Sequence, residues 1–173
     1  MSITAERTGV ATFQGRPVTL LGPQLAPGDP APEFTVLAND FSPVTLASSG
    51  GTVRILSAVP SLDTPVCDQQ TRRFNEAAAE TDGVSVLTIS ADLPFAQRRW
   101  CGASGLDGVQ TASDHRELSF GQAYGVAVAQ LRLLSRAVFV VDSADRIVHA
   151  QYVPEIGQHP DYDAALEAAR AAR

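Results

Sequence analysis

The stretch TVRILSAVPSLDTPVCDQQTRRFNEAAAE, residues 52–80, contains a strand pattern and a helix pattern joined by a short loop. Residues 52–59 are almost continuously apolar and of strand length, which is typical of a strand buried on both faces. The later residues repeat apolar side chains at helical spacing, and we predict a helix from Pro65 to about Glu80. A buried strand that leads directly into a helix indicates an α/β fold.

Three residues at the start of this predicted helix together place a cysteine where a negative charge is stabilised. Thr64 is a favourable N-cap, and Pro65 suits the first helical position, where no amide donor is needed. Cys67 then takes the third position, among unpaired backbone amides and at the positive end of the helix dipole. A thiolate is stabilised there for the same reason that a carboxylate would be.

The helical phase of Cys67 permits a second interpretation. Cys67 shares one face of the helix with Thr71, Phe74 and Ala78, whereas charged residues hold the opposite face. Free cysteine is among the most frequently buried residue types, so Cys67 could equally be an inert core residue. The helix alone leaves both interpretations open.

The remaining segments continue the alternation of strands and helices. A chain of 173 residues fits one domain, and we expect a single domain over residues 1–173. The order of its elements predicts an α/β, thioredoxin-like fold, in which a mixed central sheet is flanked by helices. The further predicted elements are an N-terminal β-hairpin over about residues 9–21, two short strands within 35–48, a strand over 84–90, a helix over 93–101 that stops at Gly102, a helical piece within 115–125, a hairpin over 137–153 and a helix over 160–173.

Composition and charge argue against several classes of protein. The net charge of −6 disfavours nucleic acid as the main partner, because phosphates would be repelled. The chain begins without the pattern of a secretory signal, and no apolar run is long enough to span a bilayer, so we expect a cytoplasmic protein without a membrane partner. Two cysteines are too few for a disulfide scaffold. The histidines lack the spacing of metal ligands, and we expect neither a metal nor another cofactor.

Four segments, in this order, resemble one family. Residues 60–67, PSLDTPVC, fit P-x-x-x-T-x-x-C, the active-site signature of peroxiredoxins. The chain around this signature is similar to the thiol peroxidases, a bacterial subfamily of atypical two-cysteine peroxiredoxins. The similarity includes PSLDTPVCDQQTRRFNE, LPFAQRRWCG around Cys101, SRAVFVVD around Arg136 and the N-terminal hairpin, and covers essentially the whole chain.

The resemblance implies a role for five residues. Cys67 would be the peroxidatic nucleophile, Thr64 would place its hydroxyl beside the sulfur, and Pro60 would shield the thiolate from bulk water. Arg136 would direct its guanidinium at the sulfur and orient the peroxide, although an arginine at a strand end is more commonly solvated. Cys101 would be the resolving thiol that forms an intrachain disulfide with Cys67, rather than a buried residue at a helix end. Two cysteines at separate helix ends would need local unwinding to reach disulfide geometry.

The function implied by the resemblance is a cofactor-free peroxidase. It would reduce alkyl hydroperoxides and hydrogen peroxide, be recycled by thioredoxin or a similar dithiol protein, and form a homodimer. Two other hypotheses stay open: a peroxide sensor that passes its disulfide to a client protein, and a thioredoxin-fold binding module with two inert thiols. A thiol–disulfide oxidoreductase of the C-x-x-C type is disfavoured because the chain has no such motif.

Overall fold

The computed structural model describes residues 4–173, which form two β-sheets and four α-helices. The strands are β1 (Glu6–Phe13), β2 (Arg16–Leu21), β3 (Thr35–Leu37), β4 (Pro43–Thr45), β5 (Val53–Ala58), β6 (Val84–Ser90), β7 (Thr111–Ser113), β8 (Ala127–Val128), β9 (Leu133–Leu134), β10 (Ala137–Val141) and β11 (Ile147–Tyr152). The helices are α1 (Pro65–Ala79), α2 (Pro94–Ser104), α3 (Ser119–Ala123) and α4 (Tyr162–Ala171), and a short 3-10 helix covers Leu46–Ser49.

The central sheet is mixed, as the order of elements predicted. Its seven strands run in the order β11-β10-β5-β6-β7-β3-β4. Strands β5, β6 and β7 are parallel neighbours, whereas β10 is antiparallel to β5. Every residue of β5 and β10 is buried, which agrees with their continuous apolar patterns.

Helices cover both faces of this sheet. On one face, Phe74 of α1 and Tyr162 of α4 pack over Ile55 and the other apolar side chains of that face. On the opposite face, α3 contributes to an aromatic cluster in which Phe120 stacks on Tyr124 with 4.4 Å between ring centroids. Each large side chain buried in this way contributes about 1.5–3 kcal/mol to folding.

The N-terminal hairpin is present and belongs to a second sheet. Strands β1 and β2 pair through a turn at Gln14 and Gly15, both of which have positive φ, as a two-residue hairpin turn requires. The hairpin begins at Glu6, earlier than predicted. It continues into a four-stranded sheet, β1-β2-β8-β9, which the sequence did not predict because β8 and β9 are only two residues long.

The predicted end of α2 is wrong. The helix continues through Gly102 to Ser104 and is terminated by Gly105, which adopts the left-handed conformation with φ of 71°. A glycine inside a helix costs only about 1 kcal/mol, and termination needs the left-handed turn that follows the last helical residue. Cys101 therefore lies inside α2 rather than at its end.

The pairing of the strands brings segments that are distant in sequence to the same end of the sheet. Because β5 and β6 are parallel, the loops into α1 and α2 leave the sheet at the same edge. The antiparallel pairing of β10 with β5 places Ala137 opposite Ala58. Arg136, immediately before β10, therefore lies beside the loop that joins β5 to α1.

We expect a Gly125→Ala substitution to destabilise the fold strongly. Gly125 has φ of 69°, and an added Cβ would lie 1.8 Å from the carbonyl oxygen of Pro23. Gly105 has nearly the same φ, but no atom lies within 4 Å of its would-be Cβ. In urea unfolding, Gly105→Ala should lower the free energy of unfolding by about 1 kcal/mol and Gly125→Ala by about 3 kcal/mol or more. Equal losses in the two variants would contradict this packing.

Candidate active site

Cys67 is fully buried at the start of α1. Thr64 precedes the helix in an extended conformation, and the helix begins at Pro65, as predicted. The Cys67 side chain has 0% exposure and packs with Val59 and Leu62, with Trp100 of α2 against the same cluster. The inward phase expected from the helical pattern is confirmed.

Arg136 reaches into this buried site. Its side chain is only 2% exposed, and Nη2 donates to Sγ of Cys67 at 3.3 Å. The other donors go to neutral acceptors, since Nη1 donates to Oε1 of Gln70 at 2.8 Å and Nε to the carbonyl of Ile156 at 2.8 Å. Among residues 4–173, no carboxylate oxygen lies within 4.0 Å of this guanidinium. A buried cation without a carboxylate favours a negative charge on the sulfur it contacts.

Gln70 is a site residue that the sequence interpretation missed. It is fully buried one turn after Cys67, accepts from Arg136 and donates through Nε2 to Oγ of Ser57 at 2.7 Å. These two bonds link the arginine to the central strand β5 and fix the orientation of its guanidinium. The helical phase could have indicated Gln70, because residues three positions apart lie near the same face of a helix and Gln70 follows Cys67 by three positions.

Thr64 stands at the N-cap position but does not cap the helix with its side chain. Its hydroxyl instead donates to the carbonyl oxygen of Ser61 at 3.1 Å, which tightens the loop before α1. The expectation of a side-chain N-cap is therefore wrong. Thr64 is exposed, whereas Pro60, at the beginning of the same loop, is buried.

Asp92 holds this loop against the end of β6. Its carboxylate accepts from Oγ of Ser61 and from the backbone amide of Leu62, both at 2.8 Å, and also from Oγ of Ser90 at 2.7 Å. The loop before Cys67 is thus tied to the segment that leads into α2. No sequence pattern pointed to Asp92, since Ser61 and Leu62 become its neighbours only through the parallel pairing of β5 and β6.

Cys101 is half-buried and contacts polar residues outside the Cys67 cluster. Its sulfur lies 3.4 Å from Oγ1 of Thr111 and accepts from Nδ2 of Asn39 at 3.6 Å. Both cysteines are free thiols. Formation of a bond between the two sulfurs would therefore require the Cys101 sulfur to leave these contacts.

Burial also perturbs a tyrosine near the site. Burial raises the pKa of Tyr162, with the positive charges of Arg136 and Arg73 acting in the opposite direction. Its hydroxyl is therefore neutral and lies 2.7 Å from Nδ1 of His159.

Within residues 4–173, no group of three or more His, Cys, Asp or Glu side chains is placed to hold a metal ion. No helix in that part of the chain has the length and apolar character needed to cross a membrane.

Comparison with known proteins assigns the family. The family model described as Redoxin matches residues 26–166. A thiol peroxidase of Halalkalibacterium halodurans is 62% identical over 161 residues, which cover 93% of this chain and 97% of the relative. One from Bacillus subtilis is 57% identical over 160 residues, covering 92% and 96%.

Solved structures agree with this assignment and confirm the thioredoxin-like fold. The peroxiredoxin-like protein from Aquifex aeolicus superposes with a TM-score of 0.88 at 39% identity, covering 98% of this chain and 99% of the other. The thiol peroxidase from Chromobacterium violaceum has a TM-score of 0.82 at 19% identity, covers 89% and 91%, and supports the fold alone. The chain belongs to the Redoxin family and, within it, to the thiol peroxidases.

Proposed function

We propose that this thiol-dependent peroxidase reduces hydroperoxides through Cys67. The observation that carries the proposal is the buried Arg136, whose Nη2 lies 3.3 Å from the Cys67 sulfur. In the described part of the chain, no carboxylate oxygen lies within 4.0 Å of its guanidinium. An inert core thiol does not need a buried cation, and burial of an unbalanced guanidinium is costly. This contact therefore argues against a binding module with two inert thiols.

The proposed first step is an attack of the Cys67 thiolate on one peroxide oxygen. The O–O bond breaks, the sulfur is oxidised to a sulfenic acid, and the other oxygen leaves as an alcohol or water after taking a proton. Arg136 and the first-turn amides of α1, among them those of Val66 and Cys67, would stabilise the charge on the departing oxygen. Thr64 would hold the peroxide, and Pro60 would keep bulk water away.

The second step joins the two cysteines. The Cys101 thiol attacks the Cys67 sulfenic acid, which gives an intrachain disulfide and releases water. Thioredoxin or a similar dithiol protein would then reduce this disulfide and return both thiols. We further propose that residues 1–173 act as one domain, without a cofactor, in the reducing cytoplasm, where two free thiols persist.

The substrates are proposed to be alkyl hydroperoxides and hydrogen peroxide. Apolar side chains of Val59, Leu62 and Trp100 surround the buried sulfur, and an alkyl group can pack against them. Hydrogen peroxide needs only the polar donors of the site.

A coupled assay with thioredoxin, thioredoxin reductase and NADPH tests this function. Cys67→Ser should lower peroxide consumption by more than about 10³-fold, because no other group can take up the oxygen. Cys101→Ser should still form the sulfenic acid in a single turnover but should not be recycled by thioredoxin. Substantial activity in Cys67→Ser would refute the proposal, whereas a Cys67–Cys101 disulfide mapped by mass spectrometry would support it.

We also propose a homodimer formed through a patch beside the start of α2. Phe41, Leu93 and Phe95 are exposed, and the two phenyl rings contact edge to face with 5.1 Å between centroids. Exposed Asp40 and Arg98 flank the rings with opposite charges. A two-fold axis through such a patch can pair aromatic with aromatic and acid with base, so the occupant that fits is a second copy.

Analytical ultracentrifugation tests the dimer. We expect the wild type to sediment as a dimer and Phe95→Glu, which buries a charge in the proposed interface, to sediment as a monomer. Leu131→Glu is the matched control, because Leu131 is also exposed but lies on the turn between β8 and β9. A monomeric wild type, or an unaltered dimer in Phe95→Glu, would contradict the assignment.

A further inference from the structure

The second half of α2 has one large apolar anchor, Trp100, which packs against Val59 and Leu62. The fully buried residues of this helix are Pro94 and Gln97, and both precede Cys101. Segments with few buried apolar contacts open locally at a low free energy. Polar contacts therefore add to the packing of Trp100 in deciding how firmly residues 98–104 stay folded against the rest of the protein.

Two charged residues of α1 supply contacts to this segment. Asp68 accepts from Nε1 of Trp100 at 3.0 Å and from Nε of Arg72 at 2.8 Å. Arg72 also donates through Nη1 to the carbonyl oxygen of Ser104 at 2.8 Å, and its guanidinium carbon lies 5.8 Å from the Trp100 ring centroid. We refer to Asp68, Arg72, Trp100 and Ser104 as the clamp.

The clamp is reinforced by charge. One carboxylate oxygen of Asp68 accepts from Trp100 of α2, and the other accepts from Arg72 of α1. The side chains of Asp68 and Arg72 are only 34% and 37% exposed. The hydrogen bond to Asp68 raises the pKa of Arg72 above its ordinary value. Such a connected, partly shielded network holds the two helices together better than an isolated surface pair does.

Clamp residues lie next to both cysteines in the sequence. Asp68 directly follows Cys67, and Trp100 directly precedes Cys101. The Cys101 sulfur contacts Thr111 and Asn39, so it must leave both residues before it reaches Cys67. Contacts that hold Trp100 and Ser104 keep the backbone around Cys101 helical and so oppose this movement.

We propose that the clamp sets the rate of disulfide closure, an inference that rests on the proposed function. The Cys67 sulfenic acid has two competing fates. Attack by the Cys101 thiol gives the disulfide and water, whereas a second hydroperoxide oxidises the sulfur to a sulfinic acid and is itself reduced to an alcohol or water. By holding α2 folded, the clamp slows the first fate and prolongs the exposure of Cys67 to the second.

Arg72→Met and Arg73→Met form a matched pair of variants. Each removes one positive charge from adjacent positions of α1 and keeps an unbranched side chain. Arg73 pairs with Asp163 of α4 at 3.0 Å and lies over the Tyr162 ring, so its loss leaves the contacts to α2 intact. Neither residue belongs to the proposed catalytic group.

Stopped-flow fluorescence separates the two chemical steps, since Trp100 is the only tryptophan and belongs to the clamp. With an alkyl hydroperoxide, Arg72→Met should accelerate the closure phase by about fivefold or more, while sulfenic acid formation changes by less than about twofold. The peroxide concentration that gives half-maximal sulfinic acid, measured by mass spectrometry, should rise by the same factor as closure. Arg73→Met should match the wild type in all three quantities. A merely structural defect would instead slow both phases.

Hydrogen exchange of the reduced protein gives a readout that needs no peroxide. Backbone amides of residues 98–106 should exchange faster in Arg72→Met and at the wild-type rate in Arg73→Met. Unchanged closure or unchanged exchange in Arg72→Met would overturn the clamp while leaving the proposed function intact. If the wild type reacts with peroxide but forms no Cys67–Cys101 disulfide, both the resolving step and the clamp are wrong.

Discussion

The contact between Arg136 and Cys67 is the interaction on which the rest of the site depends. Within residues 4–173, the acceptors of this guanidinium are a thiol and two neutral oxygens. Because the guanidinium is 2% exposed, its burial is costly unless the sulfur carries charge. The helix start adds unpaired amides at the same sulfur. Both effects favour a negative charge on the sulfur in a dry pocket, where the proposed attack on peroxide would not compete with hydration.

The sheet supplies the geometry for this contact. Antiparallel pairing of β10 with β5 brings Arg136 to the loop before α1, and Gln70 fixes the guanidinium by bridging it to Ser57 of β5. Asp92 ties the same loop to the end of β6. The Cys67 sulfur is therefore held by rigid elements, while Cys101 lies on a helix with few apolar anchors. This arrangement suits the proposed reaction, in which Cys67 stays in place and Cys101 moves to it.

The helix that begins at Pro65, the mixed sheet and the inward phase of Cys67 could be predicted from the sequence. The helix start follows from the preferences of Thr64 and Pro65, the phase of Cys67 from helical spacing and the sheet from the order of the elements. The resemblance of the segment SRAVFVVD pointed to Arg136, but the position of Arg136 beside Cys67 depends on strand register, which no local pattern encodes. Gln70 and Asp92 were missed because their roles are defined by tertiary partners. The end of α2 was misplaced because Gly102 and Gly105 look alike in sequence, and only Gly105 adopts a left-handed conformation.

Rapid-mixing kinetics of the reaction between Cys67 and peroxide test the central claim most directly. In a Cys101→Ser background, which leaves one thiol, we predict that Arg136→Met slows formation of the Cys67 sulfenic acid by about tenfold or more, because the guanidinium that contacts the sulfur is lost. Arg73→Met should leave this rate unchanged, since its charge faces α4. Equal rates in the Cys101→Ser protein with and without Arg136→Met would contradict the account.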